Sequence, residues 1–124
     1  MTPTSQRQIN RGDVFWVGPA DDGGPNPNHP HPHVVVQDDV FNHSRVSTVL
    51  VVALSTNLHR ASEPGNILLD PGEANLPKPS VVITAQIASI PKTRLGERVG
   101  ALSPARVDQI LDGLRFLQAT YFRR

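Results

Sequence analysis

Residues 47–54 read STVLVVAL. The apolar run after the two hydroxyl residues has no polar interruption. A run of this length is a strand covered on both faces, because a strand with one wet face would alternate. It predicts the central strand of a sheet. Working outward, GDVFWV (12–17) reads as a first strand and VVVQ (34–37) as a short second one. DDVFN (38–42) turns the chain into the central strand. NILLD (66–70) is a fourth strand, PGEANLPKP (71–79) a loop, and SVVITAQIASI (80–90) a long strand. Five or six short strands of this size suggest a small barrel or a tightly curled sheet, and a closed barrel would remove the open edges.

The period then changes. Ser103 followed by Pro104 is a helix start, a hydroxyl cap before a residue that needs no N–H. Val107, Ile110, Leu111, Leu114, Leu117 and Tyr121 recur at helical spacing, with Asp108, Gln109, Asp112 and Arg115 on the other face. The spacing predicts a packing helix over about 103–119, whose aromatics are core or subunit contacts.

The chain has 124 residues and no visible linker or repeat, so it reads as a single domain, 1–124. It has no cysteine, which excludes disulfides, thiolate metal sites and cysteine nucleophiles. There is no signal-peptide stretch and no long apolar segment, so the expectation is a cytoplasmic protein without a membrane span. Net charge is +1, too weak to announce a nucleic-acid binder. Residues 1–90 carry 5 Lys/Arg against 8 Asp/Glu, and residues 91–124 carry 7 against 3, which reads first as a solvated basic helix face. Phosphate-loop, dinucleotide, GxSxG and HExxH signatures are absent. One tryptophan and one tyrosine make no broad stacking platform for single strands.

Residues 18–33, GPADDGGPNPNHPHPH, contain five prolines and three glycines and form a long loop, and loops of this length inside a small domain are usually functional or disordered. Its end, NHPHPH (28–33), has three readings. A metal site through His29, His31 and His33 is one. However, Pro30 and Pro32 push the backbone towards polyproline II, where residues two apart point about 240° apart, so the three imidazoles do not easily meet one ion. The second reading is a stiff exposed connector. The third is acid–base chemistry, since histidine titrates near neutrality. After the central strand, Ser55, Thr56, Asn57, His59 and Arg60 offer hydroxyls, an amide, an imidazole and a guanidinium. That mixture suits a phosphodiester, or a polar loop leading the chain away.

Taken together, several motifs resemble the MazF/PemK toxins, also called the Kid family. Arg11-Gly12-Asp13-Val14 is similar to their opening. The valine run to Gln37-Asp38-Asp39 resembles their RPVVVVQND strand. Val46-Ser47-Thr48-Val49 to Ala53-Leu54-Ser55, Pro64-Gly65-Asn66-Ile67, Leu76-Pro77-Lys78, Gln86-Ile87 and Lys92-Thr93-Arg94-Leu95 follow in family order over residues 9–118. The resemblance implies a mainly β fold with a C-terminal helix, an SH3-like small barrel of the CcdB/MazF toxin type, as a homodimer. It implies a type II toxin endoribonuclease that cuts single-stranded RNA sequence-selectively without a metal or other cofactor, and arrests growth. It also implies a cognate antitoxin, with operator DNA bound only through the toxin–antitoxin complex. The loop from Gly18 to His33 resembles the mobile first loop of this family, and an acidic, disordered antitoxin tail is expected to fold into the groove beneath it.

The chain departs from the family at the arginine before proline in RPVVVVQ, where His31 stands. The resemblance therefore gives His31 as the main catalytic group, general acid or base, with Ser55 bonding a phosphate oxygen and His33 as a second shuttle. Asp13, where some members use Glu, would orient an imidazole or fix a backbone turn. Thr56, Asn57, His59, Arg60 and Gln86 are the expected RNA contacts, and Arg60 is an alternative home for the catalytic role. Ala85 stands where some relatives have a carboxylate. The competing reading is a non-catalytic SH3-like binding module, or a degenerate toxin acting in operon repression.

Overall fold

The computed structural model describes residues 8–18 and 30–122. His29 and most of the long first loop lie outside the described residues. Six strands, β1 (Asp13–Val17), β2 (His31–Val35), β3 (Thr48–Ser55), β4 (Ile67–Leu69), β5 (Ser80–Pro91) and β6 (Leu95–Ala101), form one antiparallel sheet. Its order is β4-β5-β3-β2-β1-β6. A short helix α1 (Asp39–Asn42) joins β2 to β3, and α2 (Pro104–Phe122) ends the described chain.

β3 is the central strand its sequence predicts, and both of its faces carry buried side chains, although Leu50 is exposed. Val52 and Leu54 join Val14, Val34, Leu69, Val82 and Ile110 in one apolar cluster. Val49 and Val51 join Phe15, Val17, Val35, Ile90 and Leu95 in the other. Neighbouring residues of one strand therefore serve opposite cores, as the two-residue period of a strand requires. Each fully buried valine or leucine contributes about 1.5–3 kcal/mol by leaving water.

The fold class is the expected one, but the hydrogen-bonded sheet is not closed. Among the described residues β4 and β6 are its edges. The β6 edge is covered instead by the turn Glu73–Asn75: Asn75 Nδ2 donates to Val99 O at 3.1 Å. Arg106 of α2 clamps that turn with two bonds to Glu73, of 2.9 and 2.8 Å. Ser103 caps α2 through a 3.2 Å bond from Arg106 N, and the helix runs three residues further than its periodicity predicts. Ile110 and Gly113 are buried; Tyr121 is 74 % exposed and does not join the packed face.

Two strand expectations change. β6 has no counterpart in the apolar pattern. β2 starts at His31, not at Val34, so the HPH segment is strand and not polyproline II. His31 and His33 pair with Val17 and Phe15 of β1 and share one face of the sheet.

Candidate active site

Proline chemistry places the site. The β1–β2 ladder reaches Val17 opposite His31, but the β2–β3 ladder stops at His33 opposite Ala53. Pro32 has no N–H with which to extend pairing. At this point a groove of about 420 Å³ opens, with His31, Pro32 and His33 on the β2 side and Ala53, Leu54, Ser55 and Thr56 on the β3 side.

The remaining walls come from a break in the β3–β5 ladder. Val52 pairs with Ile87, yet Leu54 pairs with Val82, so β5 carries extra residues over 83–86. Such a bulge re-aims side chains, and here it brings Gln86 into the groove. The bulge is held from behind. Asn66 Oδ1 accepts from the Thr84 N–H at 3.1 Å and from its hydroxyl at 3.3 Å. The Asn66 amide donates to Arg60 O and to Glu63 Oε1, both at 3.0 Å. Glu63 in turn accepts Arg60 Nε through both its oxygens, at 3.1 and 3.2 Å. That pairing holds the exposed Glu63 carboxyl below its usual range. Arg60, on the 3₁₀ turn Leu58–Ser62, lines the groove as a partly neutralised cation.

The two histidines have distinct surroundings. His33 Nδ1 lies 2.9 Å from His31 O. A carbonyl only accepts, so Nδ1 carries the proton and Nε2 keeps a free lone pair in the neutral ring. Burial pushes the His33 imidazole below its ordinary value of 6.5, opposed by the bond to His31 O and aided by the His31 and Arg94 charges. His33 is therefore neutral at pH 7, with Nε2 ready to accept a proton. His31 is exposed. Ser55 Oγ accepts from Asn57 N at 3.0 Å, which leaves its hydroxyl proton free to donate.

The structure thus brings His31, His33, Ser55, Thr56, Arg60 and Gln86 to one groove. Asn57 and His59 sit on the adjoining turn without lining it; Asn57 Oδ1 caps that turn through His59 N at 3.2 Å. Asp13 is elsewhere. It is 3 % exposed, one oxygen accepts from Asn10 N at 2.9 Å, and the other meets Arg98 Nη2 at 3.1 Å. Of its two readings, the geometry matches the backbone turn, with no imidazole among its partners. Among the described residues no cluster of three or more His, Asp or Glu is placed to hold a metal ion. Asn66 and Arg94 have roles that local pattern did not reveal, although both lie within motifs of the ordered set.

Comparison with known proteins gives this groove its context. Residues 10–117 match the PemK-like, MazF-like toxin of type II toxin–antitoxin systems. Endoribonuclease MazF6 of Mycobacterium tuberculosis (strain ATCC 25618 / H37Rv) is 33 % identical over 107 residues, covering 86 % of this chain and 94 % of that protein. Endoribonuclease MazF of Staphylococcus epidermidis is 31 % identical over 107 residues, covering 84 % and 88 %. A mycobacterial endoribonuclease solved in complex with its cognate antitoxin shares the fold, with a TM-score of 0.71 at 22 % identity over 90 % of this chain and 95 % of that one. MazF from Deinococcus radiodurans does so at 0.71 and 14 % identity, over 92 % and 99 %. The class is a toxin built on a small, curled β-sheet with a C-terminal helix. The chain belongs to the PemK-like, MazF-like toxins of type II toxin–antitoxin systems.

Proposed function

We propose that this chain is the toxin endoribonuclease of a type II toxin–antitoxin system and cuts single-stranded RNA sequence-selectively, with His33, His31 and Ser55 as its catalytic residues. The observation that carries this reading is the pair of imidazoles on one strand face, beside a free hydroxyl, in a groove open to a strand. His33 Nε2 takes the proton of the RNA 2′-hydroxyl. The 2′-oxygen bonds to phosphorus, and the bond from phosphorus to the 5′-oxygen breaks. His31, entering the step in its protonated form, gives its proton to that leaving oxygen, so the products are a 2′,3′-cyclic phosphate and a 5′-hydroxyl, and exchange with water then restores both imidazoles. Ser55 donates to a non-bridging phosphate oxygen as charge builds there. RNA supplies its own nucleophile, so no metal or cofactor enters. Thr56, Arg60 and Gln86 line the path of the bound strand, Asn57 and His59 edge it, and unstacked bases present their edges to such groups.

The antitoxin reading rests on family membership and on the antitoxin complex of the structural neighbour. An acidic antitoxin segment lying in the groove blocks the RNA path, and operator DNA is bound through that complex. A second copy of the chain supplies the homodimer. Leu50 and Ile87, on neighbouring strands and one sheet face, are 38 % and 40 % exposed, and Phe41 and Val46 are exposed on the segment leading into β3. No helix among the described residues is long and apolar enough to cross a membrane. The reading places the toxin in the cytoplasm, with its RNA.

The test uses an RNA spanning one mapped cut, with the 2′-hydroxyl at that position replaced by hydrogen. Cleavage of the parent and not of the 2′-deoxy RNA is expected. Equal cleavage of both, or none of either, removes the mechanism.

A further inference from the structure

The groove must stabilise a phosphorane carrying extra negative charge, yet the one arginine lining it among the described residues, Arg60, is already paired with Glu63. Seven arginines are described. Arg11, Arg60, Arg98, Arg106 and Arg115 each meet a carboxylate. Arg45 and Arg94 meet none among the described residues. Arg45 precedes β3, whereas the groove is at the far end of that strand, about 20 Å or more away at 3.3 Å per residue.

Arg94 is placed differently. Its Nη2 donates to Gly18 O at 2.6 Å. Gly18 follows Val17, and Val17 pairs with His31 on one side and with Leu95, the residue after Arg94, on the other. The guanidinium is thus anchored at the strand end that faces His31. One anchoring bond uses one of its five N–H donors and leaves the rest for a bidentate partner. Its charge reaches His33, where it helps to keep the ring neutral. A guanidinium without a carboxylate partner among the described residues, two strands from His31 and near enough for its charge to act on His33, is what phosphoryl chemistry needs, although it stands outside the groove's lining residues.

We propose that Arg94, which stands outside the groove lining at the strand end next to His31, is a catalytic residue that reaches the non-bridging oxygens of the scissile phosphate bound there, as the arginine near the two imidazoles that pairs with no carboxylate among the described residues. The proposal rests on the ribonuclease reading above. RNA makes the contact; no new covalent step is required.

The experiment measures cleavage rate at saturating RNA, the pH–rate profile, and the salt dependence of binding to a 2′-deoxy analogue of one mapped site. Wild type is compared with Arg94→Ala, Arg94→Lys and Arg45→Ala. Arg94→Ala is expected to lose about 10²-fold in rate, the scale of one lost transition-state donor. Its salt slope is expected to fall by about 0.7, one phosphate contact on a single strand. Its acid limb should move to higher pH, because His33 loses a repelling charge. Arg94→Lys should keep the slope and recover part of the rate, and Arg45→Ala should match wild type in rate. If Arg94→Ala folds poorly, Arg94→Lys decides: unchanged kcat overturns the proposal. A lowered Tm with an unchanged rate per folded molecule also overturns it and assigns Arg94 to anchoring Gly18. If wild type itself cuts no RNA, the ribonuclease reading fails. If wild type cuts and Arg94→Ala cuts equally with the same slope, only the Arg94 assignment fails.

Discussion

Replacing Asn66 should damage both the fold and the groove, although the residue lines no part of it. Its carboxamide makes four bonds to three residues: it accepts from Thr84 N and Oγ1 and donates to Arg60 O and Glu63 Oε1. Thr84 is 1 % exposed, and its N–H lies in the stretch where β5 bows away from β3, with no ladder partner. Asn66→Ala leaves that N–H unsatisfied, at about 1–3 kcal/mol. The bonds to Arg60 and Glu63 lie nearer the surface, where water replaces them at about 0.5 kcal/mol each, the low end for a hydrogen bond. The expected loss is about 2–4 kcal/mol in urea unfolding, with an unchanged m-value. Asn66→Asp separates the two functions. It keeps the acceptor for Thr84, so it should lose less stability. It removes both donors and sets a second carboxylate against Glu63, so Arg60 and its turn should shift and cleavage should slow about tenfold or more, as positioning losses do. Denaturation by circular dichroism and single-turnover cleavage of the same preparations decide the matter. An Asn66→Ala midpoint equal to wild type would refute the reasoning, because the Thr84 N–H would then have found another partner at no cost.

Three further outcomes follow from the same geometry. Gly113→Ala should destabilise despite alanine's better helix propensity, because a Cβ there would lie 2.3 Å from Gly65 O; a melt showing any gain in Tm contradicts the close crossing of α2 over that turn. Asp13→Ala should cost about 1–3 kcal/mol by orphaning the Asn10 N–H and the Arg98 guanidinium, while kcat of the folded protein stays at the wild-type level; a selective fall in kcat would return Asp13 to the catalytic set. The folded-state value of His33 lies below 6.5, so the folded protein binds its proton less readily than the unfolded chain does. Stability from this group is full above 6.5 and is lost as pH falls towards the folded value, and cleavage should lose its base over the same acidic side. His33→Gln should abolish both dependences, and an acid limb above 6.5 in the wild type would contradict the burial argument.

Periodicity carried most of the fold. β3 was legible because an uninterrupted apolar run admits few other placements, and α2 because Ser103-Pro104 and the spacing from Val107 agree. β6 was not legible. Its sequence LGERVGA exposes Gly96, Glu97 and Arg98, and glycines weaken any strand pattern. The glycines are there for contact: a Cβ at Gly96 would meet Trp16 O at 2.7 Å, and one at Gly100 would meet Ala74 O at 2.5 Å. The start of β2 was misplaced because Pro30 and Pro32 argue against a strand from local propensity alone, whereas pairing with β1 on one side tolerates Pro32. In the site, Ser55, Thr56 and Arg60 were legible as a polar strand end. Asn66 and Arg94 act through tertiary bonds to Thr84 and Gly18, which no local pattern encodes. Asp13 reads equally well as turn former or carboxylate helper until its partners are seen.

The central claim is metal-free RNA cleavage by the two strand imidazoles. Its most direct test is single-turnover cleavage of a long single-stranded RNA in EDTA by wild type, His31→Ala and His33→Ala, each checked for folding. Wild type should give discrete cuts ending in 2′,3′-cyclic phosphate, and each variant should be slower by about 10²–10⁴-fold, the usual weight of a general acid or base. Wild-type cutting that EDTA abolishes, or cuts that survive both substitutions at full rate, would contradict it.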